Sequence, residues 1–424
     1  MPRGQVAPQG LMNRRRVTIV TSGHPTSCPR MVKAADAACE AGFEVRLVSV
    51  DYVDWMARLD PDLVARRRWR WHQVRLRRSM HPVKSRWVSA RHRGARALVG
   101  LAPQARWPMP LLVRAYARTH RELVNAILME PFDLLYGGTV AALAAVAEAA
   151  RRARRPFGLD FEDYHPAESE EPDAPLTSAL ARTVVREAAR GAAFLTAASD
   201  PIAEQFRSDL GADVVTLHNV APLSDVSAPL DVPAGALCIY WFSQVVGPKR
   251  GLEELIAGLV LSGVDVELHL RGAGDPAYID ALRRMASARG SRVIVRHHGP
   301  AAADEMVALC RGHAIGASPE LPHVLNHDLC VSNKVLTYLA AGLAVIATDT
   351  RGHRSVARLA PGAIALYPPG DVTALAALLR RWDEDRASLA AARRAAWCAA
   401  RRRLHWEHPL ERGALLQAMA GALS

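Results

Sequence analysis

Short apolar runs alternate with helix-length stretches along almost the whole chain, and nearly every run ends in glycine or small polar residues. The clearest unit is 331–350, VSNKVLTYLAAGLAVIATDT. Ser332 is suited to cap a helix over 334–341, Gly342 to stop it in the left-handed region, and 343–347 has the length of a buried strand. A helix start is a natural anion site, because its first amides lack internal partners and its dipole favours negative charge. Lys334 opposes that dipole unless an anion is present. From these residues alone two readings stay open, an ordinary helix-strand unit and a seat for phosphate.

The same alternation runs through the rest of the chain. Residues 17–22, 30–41 and 44–50 read as strand, helix and strand, a parallel βαβ unit. A helix over 111–127, a strand at 133–136 followed by Gly137 and Gly138, and an alanine-rich helix to about 154 come next. The strand 157–161 runs into Asp160, Glu162, Asp163, His165 and Glu168. Ligands of open parallel sheets bind beyond the carboxyl ends of strands, which puts this cluster at a cleft; a solvated acidic loop is the alternative. A helix over 176–190, a strand at 194–197, a helix start at Ser199-Asp200-Pro201 and a strand at 214–217 complete a first series.

Pro222, Pro229 and Pro233 mark 221–236 as a linker. A second series follows, with strands at 237–242, 266–270, 293–296, 313–317 and 343–347 and helices at 251–261, 303–311, 372–379, 386–402 and 407–423. Gly272, Gly274 and Ala277 have dinucleotide-fingerprint spacing, but no acidic residue closes the next strand, so a tight turn explains the glycines. The expectation is an α/β chain of two Rossmann-like, doubly wound domains, 16–220 and 237–403, after a flexible 1–15 and before a terminal helix in 404–424. Walker, GxSxG and HExxH patterns are absent.

Composition narrows the setting. No uninterrupted apolar run of about 18 residues is present, and the N-terminus has no apolar signal-peptide core. Six scattered cysteines without a CxxC pair read as free thiols in a reducing cytoplasm. The net charge of +12 is concentrated. No acidic residue occurs between Asp62 and Glu122, while the cations from Arg66 to Arg96, inside a basic segment 66–118, are interleaved with Trp69, Trp71 and Trp87. Arginine with tryptophan suits an anionic bilayer surface, a nucleic-acid backbone, or a solvated basic face. The membrane surface is preferred, and nucleic acid is not expected as a partner.

Two doubly wound halves with a proline-containing joint and no Walker or dinucleotide loop resemble a GT-B glycosyltransferase, and individual motifs resemble the retaining family 4. Ser22-Gly23 with Pro29-Arg30 is similar to the family's N-terminal loop. In WFSQVVGPKRGLEELIAGL, Ser243 stands at the family's glycine, Gln244 at its arginine and Lys249 at its lysine, with Arg250 beside it. LHLRGAGD resembles the strand with a Gly-x-Gly turn, RHHGPAAADEMVALC the segment near the base, and SNKVLTYLAAGLAVIATD the phosphate-binding helix. HWEHPLERGALL resembles the terminal helix that returns to the first domain. The family's two glutamates are missing, since Leu329 and Thr337 occupy their positions.

The resemblance implies transfer of a sugar from a nucleotide diphosphate such as a UDP- or GDP-sugar to a glycan or lipid-linked acceptor of cell-surface polysaccharide or glycolipid synthesis. Retention of configuration, with no metal and no further cofactor, is implied too. It assigns the diphosphate to Gly23, Ser243, Gln244, Lys249 and Arg250 on one side and Ser332, Asn333 and Lys334 on the other. Base and ribose fall to Gly272, His298, Gly299 and Thr337, and Glu320, outside the family pattern, stands in for the missing ribose glutamate; weak donor binding is the alternative. Outside the resemblance, whose acceptor-cleft histidine is not evident at Phe161-Glu162-Asp163, Glu162 and Asp163 of the acidic cluster are the candidate catalytic carboxylates, orienting an acceptor hydroxyl. The setting implied is the cytoplasm, peripheral on the inner face of the cell membrane. A catalytically silent GT-B-like protein binding membrane or partner, and a GT-B sugar-nucleotide epimerase, are the rival readings.

Overall fold

The structure, a computed structural model, describes residues 15–102, 105–171, 174–223, 228–229, 232, 235–288 and 290–424. The expected flexible N-terminus, apart from residue 15, and half of the expected linker 221–236 lie outside the described residues. Two parallel sheets organise the rest. The first contains β1 (Arg16–Thr21), β2 (Glu44–Asp51), β3 (Arg70–Arg75), β4 (Leu134–Gly138), β5 (Phe157–Phe161), β6 (Phe194–Ala197) and β7 (Val215–Thr216), in the order β3-β2-β1-β4-β5-β6-β7. The second contains β8 (Leu237–Val246), β9 (Val266–Gly274), β10 (Val293–His298), β11 (Ile315–Ser318), β12 (Ala344–Thr348) and β13 (Ile364–Tyr367), in the order β10-β9-β8-β11-β12-β13.

Both orders reverse beside the first strand of their series, which makes β1/β4 and β8/β11 the switch points where ligands of such sheets bind. The central strands are apolar because helices cover them on both faces: β4, β5 and β12 are buried at every position. Small side chains set the spacing on the first sheet, where the alanine-rich helix Val140–Ala153 has nine buried residues, seven of them alanine. Caps follow the chemistry expected of them. Ser199 Oγ accepts from Ile202 N at 3.2 Å ahead of the helix Asp200–Leu210, and Gly211 ends that helix with φ +64°.

The chain finishes on its first half. Trp406, Leu415 and Met419 pack with Val17, Ile19, Leu134 and Tyr136 under the first sheet. Glu411, fully buried, fixes this return by accepting from His218 N (2.6 Å), His218 Nδ1 (2.9 Å) and Arg403 Nη1 (2.7 Å). A π-turn over Pro409–Gly413 precedes the final helix Ala414–Leu423, so the regular helix is shorter than the expected 407–423.

Three further local differences have physical causes. The expected helix 111–127 is two helices, Met109–Tyr116 and His120–Leu128, separated at Ala117, whose backbone is extended. Asp133 lies outside its expected strand because its carboxylate accepts from Arg16 N at 2.8 Å. The basic segment is not one continuous cationic face. It contains β3, an edge strand whose Arg70 pairs with Glu44 and Glu130, while Arg67 pairs with Asp36, Arg77 with Asp51 and Arg91 with Glu122. Trp69 is buried, with its indole N–H on Asp36 at 2.8 Å.

Candidate active site

At the second switch point, two segments far apart in sequence are forced together. The turn after β8 ends at Gly251, whose φ is +71° and whose missing Cβ would stand 1.9 Å from the carbonyl oxygen of Pro319. Only glycine permits that approach, and it sets Lys249 and Arg250 beside the Ser318-Pro319-Glu320 turn after β11. Gly272 serves the neighbouring strand in the same way: φ is +145°, and a Cβ would lie 2.4 Å from Ser243 O. The glycines of RGAGDPA thus let β9 lie against the irregular end of β8, and Asp275 caps the following helix by accepting from Ala277 N at 2.8 Å. Ser243 is half-buried and Gln244 exposed at this irregularity.

The helix Asn333–Ala341 begins beside that turn, after Ser332 as N-cap, and ends at Gly342 with φ +73°. Lys334 is buried; its ammonium donates to Glu320 Oε1 and lies 5.4 Å from the centre of the Trp241 ring. Ser318 Oγ donates to the other oxygen of Glu320, and Ser332 Oγ lies 3.4 Å from Oε1. Burial alone would raise the Glu320 carboxyl, but Lys334, His353 and these hydrogen bonds outweigh it and hold it at about 2. Lys334 and Glu320, placed by sequence with phosphate and with ribose, are therefore partners of each other in the ligand-free chain. Thr337 spends its hydroxyl on Asn333 O at 2.9 Å, one turn back.

The remaining second-half candidates sit around the same strand ends. Lys249, with φ +61°, is largely exposed and donates to Glu170 Oε2 at 3.1 Å, whereas Arg250 is exposed and unpaired among the described residues. His298 Nε2 lies 3.0 Å from His269 Nδ1 with the rings stacked, and Gly299 O accepts from Arg271 Nη1 at 3.1 Å. Burial, then the neighbouring His269 and Arg271, keep the His298 imidazole below its ordinary range. Asn333 accepts, through its side-chain oxygen, from Asn219 Nδ2 at 3.0 Å.

The opposing wall is the first switch point. Ser22 N donates to Thr139 Oγ1 at 2.9 Å, and the two hydroxyls meet at 2.7 Å, joining the ends of β1 and β4. Thr139 has φ +77°, a left-handed backbone that a β-branched residue rarely adopts. Gly23 is buried and its amide donates to Thr21 Oγ1 at 3.1 Å, so it does not present that amide to a diphosphate. Arg30 forms a bidentate pair with Asp160, at 2.8 and 2.6 Å, which anchors the end of β5.

Beyond β5, the two candidate carboxylates differ. Asp163 Oδ1 accepts from Asn326 Nδ2 (3.0 Å) and Cys330 Sγ (3.2 Å), both from the second half, and Tyr164 N donates to Asn326 Oδ1 at 2.7 Å. Asp163 is thus part of the contact that closes the cleft. Glu162 has no such partner among the described residues; burial, then the nearby Asp163, push its carboxyl up to about 7. Sequence reasoning missed Asn326, Cys330, Glu170 and Thr139, since none lies in a pattern with chemical meaning. Only the turn-like Gly137-Gly138 before Thr139 offered a signal. Among the described residues, no group of three His, Cys, Asp or Glu is placed to hold a metal ion.

Residues 241–385 match the family model described as glycosyl transferases group 1. No curated protein is matched at the level of sequence. Solved structures match over nearly the full chain. HepE from Anabaena, in complex with UDP and glucose, is 17% identical over 97% of this chain and 99% of its own, with a TM-score of 0.66. Sucrose-phosphate synthase from Thermosynechococcus elongatus is 13% identical over 97% of this chain and 100% of its own, TM-score 0.67. TarM from S. aureus, in complex with fondaparinux, alpha-GlcNAc-glycerol and UDP, is 9% identical over 97% of this chain and 100% of its own, TM-score 0.65. With two doubly wound halves matched over nearly their full length by these structures, the chain has the GT-B fold, and residues 241–385, in its second half, match the glycosyl transferases group 1 family model.

Proposed function

We propose that the chain moves a sugar from a nucleoside diphosphate, UDP being the first donor base to test, onto a glycan or lipid-linked acceptor, with retention of configuration and without a metal. The observation that carries this is the seating of the Lys249-Arg250 turn and the start of the helix Asn333–Ala341 around one turn, Pro319-Glu320, at the β8/β11 switch point. Breaking the bond from the anomeric carbon to the phosphate oxygen builds negative charge on the departing diphosphate. Cations and helix amides fixed in advance stabilise that charge. The departing oxygen takes the acceptor hydroxyl's proton, and Glu162, across the cleft, orients that hydroxyl. HepE and TarM were each solved with UDP, which supports the choice of base.

An acceptor of cell-surface polysaccharide or glycolipid synthesis agrees with the basic segment 66–118, which supports contact with an anionic membrane surface on the cytoplasmic side. No helix among the described residues is long and apolar enough to cross a membrane. The test is thermal unfolding with UDP, GDP and ADP in turn. One diphosphate should raise the midpoint; no shift with any of them refutes the proposal.

A further inference from the structure

The helix Pro82–Leu101 buries Val88, Ala95 and Val99 against the first half and leaves a side about 120° away bare. At about 100° per residue, Val83, Trp87, Ala90, Gly94, Leu98 and Leu101 fall within about 60° of one direction, away from the buried face. Three of them are large and mostly exposed, Val83 at 80%, Trp87 at 65% and Leu101 at 83%, and Leu98 is also exposed. Cations flank this stripe on both sides: Lys84 on one, Arg86 and Arg93 on the other. All three are unpaired among the described residues, unlike Arg67, Arg70, Arg77 and Arg91. Met80, just before the helix, is exposed, and next to it Ser79 donates to Asp54, adjoining exposed Trp55.

A solvated basic face does not need a continuous apolar stripe, and a nucleic-acid groove does not need aliphatic side chains projecting from it. An apolar ridge with tryptophan and flanking cations fits the boundary between headgroups and acyl chains. We infer that the exposed ridge Val83, Trp87, Leu98 and Leu101 is an interfacial anchor that seats this chain on an anionic lipid bilayer. This deepens the membrane part of the proposed function, moving it from the arginine run as a whole to one helix face. The anchor is linked to the acceptor side of the cleft. Its helix packs on Met109–Tyr116, which packs on Ala174–Ala189, and that helix packs on the turn His165–Ala167 just after Glu162 and Asp163. Arg96 Nη2 donates to Thr177 Oγ1 at 2.8 Å and ties the first of these helices to the third. The cleft thus opens beside a surface where lipid-linked acceptors reside.

The test is flotation with vesicles of phosphatidylglycerol and phosphatidylcholine, with thermal protection by UDP read on the same proteins. Wild type should float with the mixed vesicles at low salt and not with pure phosphatidylcholine. Replacing Lys84, Arg86 and Arg93 by Gln should weaken partitioning about a hundredfold, at about fivefold per cation. Trp87→Ser with Leu101→Ser should weaken it at least about tenfold. Both variants change only exposed side chains and should keep the wild-type midpoint and UDP protection. Brominated lipid should quench wild-type emission more than that of Trp87→Phe. The inference is overturned if wild type does not float, if the Trp87/Leu101 variant floats like wild type, if quenching is unchanged in Trp87→Phe, or if duplex RNA strips the protein from vesicles at stoichiometric amounts. Vesicle binding without protection by any nucleoside diphosphate would sustain the anchor and count against the proposed reaction alone.

Discussion

Lys249 Nζ donates to Glu170 Oε2 at 3.1 Å, joining the turn after β8 to the loop that follows the candidate carboxylates of the first half. His327 Nδ1 lies 3.6 Å from the other oxygen of the same glutamate. A carboxylate from one half therefore occupies a cation that the proposed reaction assigns to the donor diphosphate. On the proposed reaction, donor binding exchanges one anion for another at Lys249.

That exchange sets the first prediction. The pair is exposed, so its strength is at most about 1 kcal/mol. Glu170→Gln should tighten nucleoside diphosphate binding by up to about fivefold, whereas Lys249→Ala, which removes a charged hydrogen bond, should weaken it by about tenfold or more. Titration calorimetry measures both, and weaker binding by the Gln variant contradicts the exchange.

Glu320 and Lys334 give a stability prediction. Lys334→Ala leaves a carboxylate only a quarter exposed without its cation. The cost should be about 2–4 kcal/mol, somewhat below that of breaking a fully buried pair. Replacing both by Gln and Met should cost less than Lys334→Ala alone. Because the Glu320 carboxyl is held at about 2 against 4.5 when free, its contribution is present in full above pH 4.5 and is lost as pH falls from 4.5 towards 2. Denaturant titrations across that range should show a shallower acid loss in Glu320→Gln.

Glu162 has the opposite sign. Its carboxyl is raised to about 7 from 4.5, so the folded chain holds a proton there that the unfolded chain has released. Stability from this group falls as pH rises from 4.5 to 7. If its carboxylate orients the acceptor, kcat/KM should rise with pH and level off above about 7. Glu162→Gln should lower transfer by about a hundredfold and abolish that rise, while leaving donor binding unchanged. A wild-type pH profile retained in the Gln variant assigns the titration to another group.

The doubly wound halves were legible because parallel strands buried on both faces read as apolar runs, as in 343–347, and because Ser199 and Gly342 punctuate helices in the expected way. The edge strand β3 was not, since Arg70, His72, Gln73 and Arg75 hide any apolar run. The helix Asp54–Ala65 was hidden by Pro61 within it. In the site, Lys334 could be picked out as a cation at a helix start and Lys249 by its resemblance to a family motif. Glu320 could be picked out too, though for ribose and not as the partner of Lys334; Glu170 could not, because it is 79 positions from Lys249 and comes from the other half. For Thr139 the signal was only the preceding Gly137-Gly138, because its hydrogen-bond partner Ser22 lies 117 positions away.

The proposed reaction is transfer from a nucleotide sugar held between the Lys249 turn and the helix Asn333–Ala341. The direct measurement is release of nucleoside diphosphate from UDP- and GDP-sugars by wild type, Lys249→Ala and Lys334→Ala, each with its folding checked. From the proposed reaction, turnover with one donor class and a loss of about tenfold or more in each folded variant are expected. Near wild-type rates in both variants, or no release from any donor by wild type, would contradict it.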